Sequence, residues 1–468
     1  MGASLSKPVL CTVLERHGSK YFKVGLAEMN GWRNNMEDAH VVHVNEPGEG
    51  YFGILDGHGG ADCSEWCAKR LHEVLAVQGC PKGDAAAKKL VLDTDREFFE
   101  QGLTGGSTAA MCVVRHPTSA GGKFGIHVIN AGDSRVLLSR ASGAIVEGPG
   151  TDGGLTTDHK PGHPDERARI ERCGGTVESA LGGVLRVNGE LSVSRGFGDG
   201  DHKKTGGPAQ EDRPVTCNPE MGHFECDASD FVIIVCDGVS EGDFPNSEVC
   251  QLAARVLTET GGDAAKAAEA VCFRAVETES KDNISCMIVL LGGAPAEGAA
   301  APIVMGKARE FKAGPLLGSG DAGFVKAYVA MCGRGGVSFA AAAQQRHATL
   351  VARRGTPQAQ GDDEDELAMF GEPAGAPGSA ERTAWFEEWA RAREEGGGGD
   401  EGDGGMGGVG GGPGGPAAQQ QAMMKMLLGM MQGADGPDGM GKGKGGGGPG
   451  PGRGGGRGMG AMGRGRGR

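Results

Sequence analysis

The stretch YFGILDGHGG, residues 51–60, decides the fold. Tyr51 to Leu55 is an apolar run too short for a helix, and Asp56-Gly57-His58-Gly59-Gly60 closes it with an acidic turn, so it reads as a strand ending in a carboxylate. The same shape recurs along the chain. Gly132-Asp133-Ser134-Arg135 sits between the strands Phe124 to Asn130 and Ser134 to Arg140; Asp237-Gly238 ends Phe231 to Cys236; Asp282-Asn283 precedes Ile284 to Leu291. Ser107 to Val114 is a further strand, and Arg33 is followed by Met36-Glu37-Asp38. Any one of these aspartates would pass as a turn former, because Asp bonds its own backbone and Gly supplies positive φ.

Many short strands suggest a sandwich. Ala61 to Val77, Pro164 to Cys173, Asn246 to Glu259 and Asp263 to Glu277 read as helices, with apolar residues three and four apart and caps at Asn246 and Asp263. The helices fall in groups between strand runs, which argues for α+β layers over strict βαβ alternation. If such a sandwich aligns the acidic strand ends on one edge, the like charges raise one another's pKa and cost several kcal/mol unless cations compensate. Oxygen-only ligands select hard cations, magnesium or manganese, over zinc or copper. A carboxylate bridging two such ions holds them roughly 4 Å apart, the spacing that activates a water for in-line attack on phosphorus.

Composition sets the boundaries. With 468 residues the chain has room for two or three domains, but 90 glycines and 5% aromatics mean that its core is unevenly spread. Up to residue 292 there are 28 Lys+Arg against 42 Asp+Glu; beyond it the two are equal at 19, so the whole net charge of −14 lies upstream. That acidity disfavours phosphate-backbone binding by the front part. The 13 scattered cysteines argue against a disulfide framework and for a reducing cytosol. Cys63 and Cys67, beside Trp66, read as helix core, and no apolar run approaches the roughly 20 residues of a membrane span.

The expected organisation is an amino-terminal segment (1–20), a catalytic domain (21–292), a small helical extension (293–360) and a low-complexity tail (361–468). Met1-Gly2-Ala3-Ser4-Leu5-Ser6 fits an acylation pattern exposing Gly2, against the plain alternative of a flexible start; one myristoyl chain with Lys7 nearby supports weak, reversible membrane contact. Asp321 to Arg354 suggests short helices, and Asp362 to Glu366 a solvated acidic linker. Glu381 to Glu395 suggests a helix with Trp385, Phe386 and Trp389 on one face, suited to docking. From Gly396 onwards 34 of 73 residues are glycine, too little apolar content to offset chain entropy, so a disordered tail is expected. Within it, Met423 to Met431 is an apolar patch, and the seven basic residues from Lys442 to Arg468 suggest weak single-stranded nucleic-acid binding as a side hypothesis.

Eight stretches, GWRNNMEDAH (31–40), YFGILDGHGG (51–60), GGSTAAMCVV (105–114), NAGDSRVLL (130–138), TTDHKPGHPDERARIERCGG (156–175), RVNGELSVSRGFGD (186–199), FVIIVCDG (231–238) and SKDNISCMIV (280–289), resemble in order the motifs of the type 2C, metal-dependent protein serine/threonine phosphatases. The resemblance, from about residue 22 to 291, implies a central sandwich of two antiparallel sheets with helices on both outer faces. It implies hydrolysis of phosphoserine and phosphothreonine proteins by a water activated at two Mg2+ or Mn2+ ions, in a cytoplasmic monomer. Asp56 matches the bridging ligand, the Gly57 carbonyl a ligand of one ion, and Asp237 and Asp282 ligands of the other. Glu37 matches a residue holding the ion's water shell, with Asp38 as support, and Asp133 a ligand of a weaker third ion. Arg33 matches the phosphate-binding arginine and His58 the general acid.

Three departures from the family pattern stand out, one being that the region past residue 292 does not match a known regulatory extension. Where it usually has Trp-Asp after Asp-Gly, this chain has Val239-Ser240-Glu241, which bears on a third metal; and the segment Gly198 to Pro214 is unusually polar. The rival reading is a pseudophosphatase scaffold. Such proteins typically lose metal ligands, and every core position is retained here.

Overall fold

The computed structural model describes residues 4–396 except 47, 120, 180–182, 293–305 and 360. Along the chain run β1 (Val9–Gly18), β2 (Phe22–Gly31), β3 (Ala39–Asn45), β4 (Glu49–His58), α1 (Asp62–Gln78), α2 (Asp84–Glu100), β5 (Gly106–Arg115), β6 (Phe124–Ala131), β7 (Arg135–Ser139), α3 (Pro164–Arg172), β8 (Val177–Ser179), β9 (Leu185–Val187), β10 (Phe197–Gly198), β11 (Glu220–Cys226), β12 (Phe231–Val235), the single turn α4 (Asp237–Ser240), α5 (Asn246–Glu259), α6 (Ala264–Glu277), β13 (Ile284–Leu291), β14 (Gly306–Lys312), α7 (Ala322–Gly335), α8 (Phe339–Arg353), α9 (Asp363–Phe370) and α10 (Ala380–Gly396). Two antiparallel sheets form the centre, one ordered β14-β1-β2-β13-β12-β7 and the other β11-β6-β5-β4-β3, with β10 added to β5.

Strand alternation builds the layers. Phe52 and Ile54 of β4, Val24 and Leu26 of β2, Val232 and Ile234 of β12, and Met287 and Val289 of β13 point inward and fill the sandwich. The opposite parity points out. Ile233, Val235 and Ile288 meet the small faces of α5 and α6 (Ala253, Ala265, Ala268, Val271). Tyr51, Leu55 and Met111 meet Leu71 and Leu75 of α1 and Phe98 of α2. Each such side chain contributes about 1.5–3 kcal/mol by leaving water. That scale is what allows the sandwich to hold like charges at its rim.

The first sheet is wider than the second. Its overhanging strands β1 and β14 present Val9, Cys11, Val13 and Phe311 to α7, α8 and α10, where Phe324, Tyr328, Phe339, Phe386 and Trp389 close a second core. This corrects the expected boundaries. The sheet begins at Val9, inside the segment 1–20, and includes the edge strand Gly306–Lys312, past residue 292, because β1 pairs with β2 on one side and β14 on the other. The tail boundary at 361 also moves: Asp363–Phe370 and Ala380–Gly396 are helices packed on that core. The acidic run is not wholly solvated, since Glu366 is 0% exposed and is met by Arg346 at 2.6 Å, itself 1% exposed. The Trp385–Trp389 face docks, but within the chain. Residues 397–468, which carry the methionine patch and the basic run, lie outside the described residues, as does Gly2.

Candidate active site

Antiparallel pairing brings the acidic turns to one edge. In the first sheet, register aligns Val235 with both Arg135 and Cys286, and Ile284 with Met29, so the ends of β12 and β2 and the starts of β7 and β13 lie side by side. In the second, Asp56 pairs with Thr108, Ala109 with Ala131 and Leu55 with Ala39. Asp56, Asp133, Asp237, Asp282 and the Glu37–Asp38 pair therefore share one rim. Backbone contact is tight there. A Cβ on Gly238 would lie 2.0 Å from the Asn283 carbonyl oxygen, so glycine lets the Asp237 turn lie against the Asp282 turn.

The carboxyls interact strongly. Burial, then Asp38, Asp237, Asp282 and Asp133, push the Asp56 carboxyl well above its usual range. Asp237 rises to about 8 through burial and the negative charges of Asp133 and Asp282, against the pull of Lys160. Asp282 rises by burial, offset in part by Arg33. Asp38 rises to about 7, again first by burial; its Oδ2 accepts a 2.6 Å bond from Ser285 while Oδ1 has no hydrogen-bond partner among the described residues. Four crowded carboxyls, each raised first by burial and then by its neighbours' charge, form an oxygen-only donor set suited to hard divalent cations.

Around this cluster the other expected residues fall into place. Gly57 lies between Asp56 and His58 at the end of β4. Glu37 is fixed by a 2.9 Å bond from its amide to Asn283 Oδ1 and by the amide of Gly60, which donates to its carboxylate at 3.1 Å. Arg33 stands at the mouth, 49% exposed, and its guanidinium donates to Asp282. His58 Nε2 contacts Asp199 at 2.8 Å. Burial alone would lower the imidazole pKa, but Asp199 outweighs it and the net shift is upward. That contact needs Gly106: a Cβ there would lie 2.3 Å from both Asp199 Oδ1 and His58 Nε2.

Several participants were not singled out from sequence. Lys160 pairs with Asp133 and lies 3.9 Å from Asp237, and these acids hold its ammonium above the ordinary lysine range. Asn283 binds three strands' ends together, donating to Asn30 O and Asn35 O at 2.9 Å each while accepting from Glu37. His159 accepts from the Gly132 amide at 3.0 Å; burial and then Arg195 lower its pKa to about 3, so it stays a neutral acceptor under the Asp133 turn. Asp199, Lys160 and Asn283 all lie inside the quoted motifs, but a role for each depends on a partner distant in sequence.

Two of the departures also gain a structural reading. Val239 is buried under α6 and keeps the apolar character of its position, while Glu241 accepts from the Lys281 amide at 2.8 Å and so holds the loop carrying Asp282. In the polar segment Gly198 to Pro214, Lys203 points inward to Asp95 of α2 at 2.9 Å and to Gly196 O at 2.7 Å. Part of that polarity is internal anchoring.

Comparison with known proteins agrees with this geometry. The family model described as Protein phosphatase 2C matches residues 22–284. The chain is 34% identical over 258 residues to Protein phosphatase 2C homolog 2 of Schizosaccharomyces pombe, covering 51% of this chain and 64% of the relative. To human Protein phosphatase 1A it is 30% identical over 320 residues, covering 63% of this chain and 77% of the relative. A phosphatase crystal structure from Toxoplasma gondii superposes with a TM-score of 0.54 at 27% identity, over 64% of this chain and 99% of that one.

Proposed function

This chain belongs to the protein phosphatase 2C family, and we propose that it hydrolyses phosphoserine and phosphothreonine in proteins with Mg2+ or Mn2+. The observation that carries the reading is the convergence of Asp56, Asp133, Asp237 and Asp282 beside Arg33 and His58. In this reading Asp56, Gly57 O, Asp237 and Asp282 would hold two ions, Glu37 would order water around them with Asp38 in support, and Asp133 would serve a weaker third. What divalent cations supply at such a site is Lewis-acid charge and a water acidified towards neutral pH.

The chain's own groups do the rest. Arg33 binds two phosphoryl oxygens through its planar fork once Asp282 no longer occupies it. As the water oxygen bonds to phosphorus and the ester P–O bond breaks, the proton on His58 passes to the departing serine or threonine oxygen. Asp199 orients the imidazole and favours its charged form before transfer. Lys160 supplies fixed positive charge beside Asp133 and Asp237.

A phosphopeptide assay tests this directly. Turnover should require Mn2+ or Mg2+, stop with excess chelator, and fall by orders of magnitude in Asp237→Ala. Equal, negligible rates with metal and with chelator would favour the scaffold alternative; near-normal turnover in Asp237→Ala would remove the site assignment. Cytoplasmic residence as a monomer, with reversible membrane contact through acylated Gly2, is part of the same proposal. Labelling with a myristate analogue should be lost in Gly2→Ala. Deleting 442–468 should abolish any salt-sensitive RNA binding.

A further inference from the structure

A second set of metal-type donors lies on the outer face of the other sheet. In β6, Ile126 and Val128 point into the sandwich, so His127 faces the helices; in β11 the directly paired residue is His223, on the same face. Their rings stack with centroids 4.2 Å apart and planes 9° apart. The loop after α1 delivers Asp84, the first residue of α2, onto the pair: its Oδ1 lies 3.1 Å from His127 Nε2 and 2.6 Å from His223 Nε2. Arg115 holds that loop through the Pro81 carbonyl.

An acidic residue in a helix's first turn is ordinary, since it complements the macrodipole. That explains Asp84 and leaves the histidines unexplained. His127 is 1% exposed; among the described residues its Nδ1 has no hydrogen-bond partner, and its Nε2 faces only Asp84 Oδ1 at 3.1 Å. A buried position that only needed packing would not require an imidazole with an unpaired Nδ1. Burial and His223 lower the pKa of His127, which leaves a nitrogen lone pair free for a cation.

We propose that Asp84, His127 and His223 form a binding site for a zinc-class divalent cation, tying edge strand β11 to the start of α2. The three donor atoms lie within 4.8 Å of one another. Tetrahedral zinc with ligand bonds of about 2.0–2.1 Å needs donors roughly 3.3 Å apart with both imidazole lone pairs aimed at the ion, so the exposed His223 ring must turn out of its parallel stack on His127 to bind. Asp84 is 57% and His223 60% exposed, so a fourth position opens to water. Two imidazoles and one carboxylate select zinc over magnesium, whereas the Asp56 cluster, all oxygen, selects the reverse. The two sites are distinct: His127 lies four residues, about 13 Å of extended strand, before the end of β6 at Ala131, and Asp133 follows in the turn beyond it.

The test is zinc binding to the full chain in saturating Mg2+, which fills the carboxylate cluster, followed by titration and metal counting. Wild type and Asp237→Asn should each retain one zinc, and His223→Ala and Asp84→Asn should bind it at least tenfold more weakly. Because both altered side chains are largely exposed, these variants should keep wild-type Mg2+-dependent phosphopeptide turnover, which reports that they fold. No retained zinc in wild type, or less than tenfold weakening in His223→Ala, would overturn the proposal. Co2+ gives an independent readout: a tetrahedral ligand-field absorption that appears in wild type and is absent from Asp84→Asn.

Discussion

At the scale of single residues, the site is a set of charges that tolerate one another through fixed partners. His58 and Asp199 are the clearest case, held at 2.8 Å through the gap left by Gly106. Positioned general acids contribute roughly 10²–10⁴ in rate. Asp199→Asn should therefore lower kcat by about tenfold to a hundredfold with KM little changed, and should add nothing in a His58→Asn background. Steady-state kinetics on the two single variants and the double variant checks this, and additive losses would mean that Asp199 acts elsewhere. The sequence made the metal-type acids legible because each ends a strand beside a glycine or asparagine. Asp199 follows only the two-residue β10, Lys160 ends no strand, and Asn283 stands beside Asp282 with no sign of its own. Their significance lies in the turns they meet, and only folding brings those turns together.

At the scale of elements, β4 to β7, β12, β13 and α1, α3, α5 and α6 could be read because their apolar periods are strong. Strands β1, β2 and β14 mix charged residues into the pattern, β3 mixes in histidines, and α2 spreads its buried Ala87, Val91 and Phe98 among charges, so neither period stands out. The acidic run 362–366 misled for a different reason: composition cannot reveal that Glu366 meets Arg346. That buried pair, completed by the Leu316 amide at 2.7 Å, ties α9 to α8. Removing Glu366 leaves buried Arg346 with only Asp363 at 3.8 Å, and loss of one partner of a buried pair costs about 3–5 kcal/mol, most of which an apolar double replacement avoids. Glu366→Leu should thus destabilise strongly, and Arg346→Met with Glu366→Leu should recover most of the loss in chemical denaturation. An additive double variant would show that the pair is not the source.

For the molecule as a whole, a charge network joins the catalytic sandwich to its carboxy-terminal helices. Glu15 of β1 is reached by Lys307 of β14 at 2.7 Å and His40 of β3 at 3.3 Å; Glu28 of β2 by His40 at 2.9 Å and Arg334 of α7 at 2.8 Å. Arg334 also donates to the Asp38 carbonyl at 2.5 Å, so α7 touches the rim of the active site. His40 is opposed by burial, yet Glu28 and Glu15 raise its pKa from 6.5 to about 9. The folded state thus binds this proton more tightly than the unfolded chain, so the stabilisation is complete below pH 6.5 and is lost as pH rises through 9. A shift of that size corresponds to about 3 kcal/mol. Wild type should exceed His40→Gln in unfolding free energy by about that amount at pH 6, with the gap closing above pH 9; a pH-independent gap would contradict the coupling.

The carboxylate cluster is the point on which the enzymatic reading turns, and counting bound Mn2+ probes it without relying on any substrate. Titrated with Mn2+ and followed by electron paramagnetic resonance of the free ion, the wild-type chain should take up two tight equivalents, with Asp56→Asn and Asp237→Asn each losing tight binding. Uptake of two equivalents by both variants, or none by wild type, would contradict it.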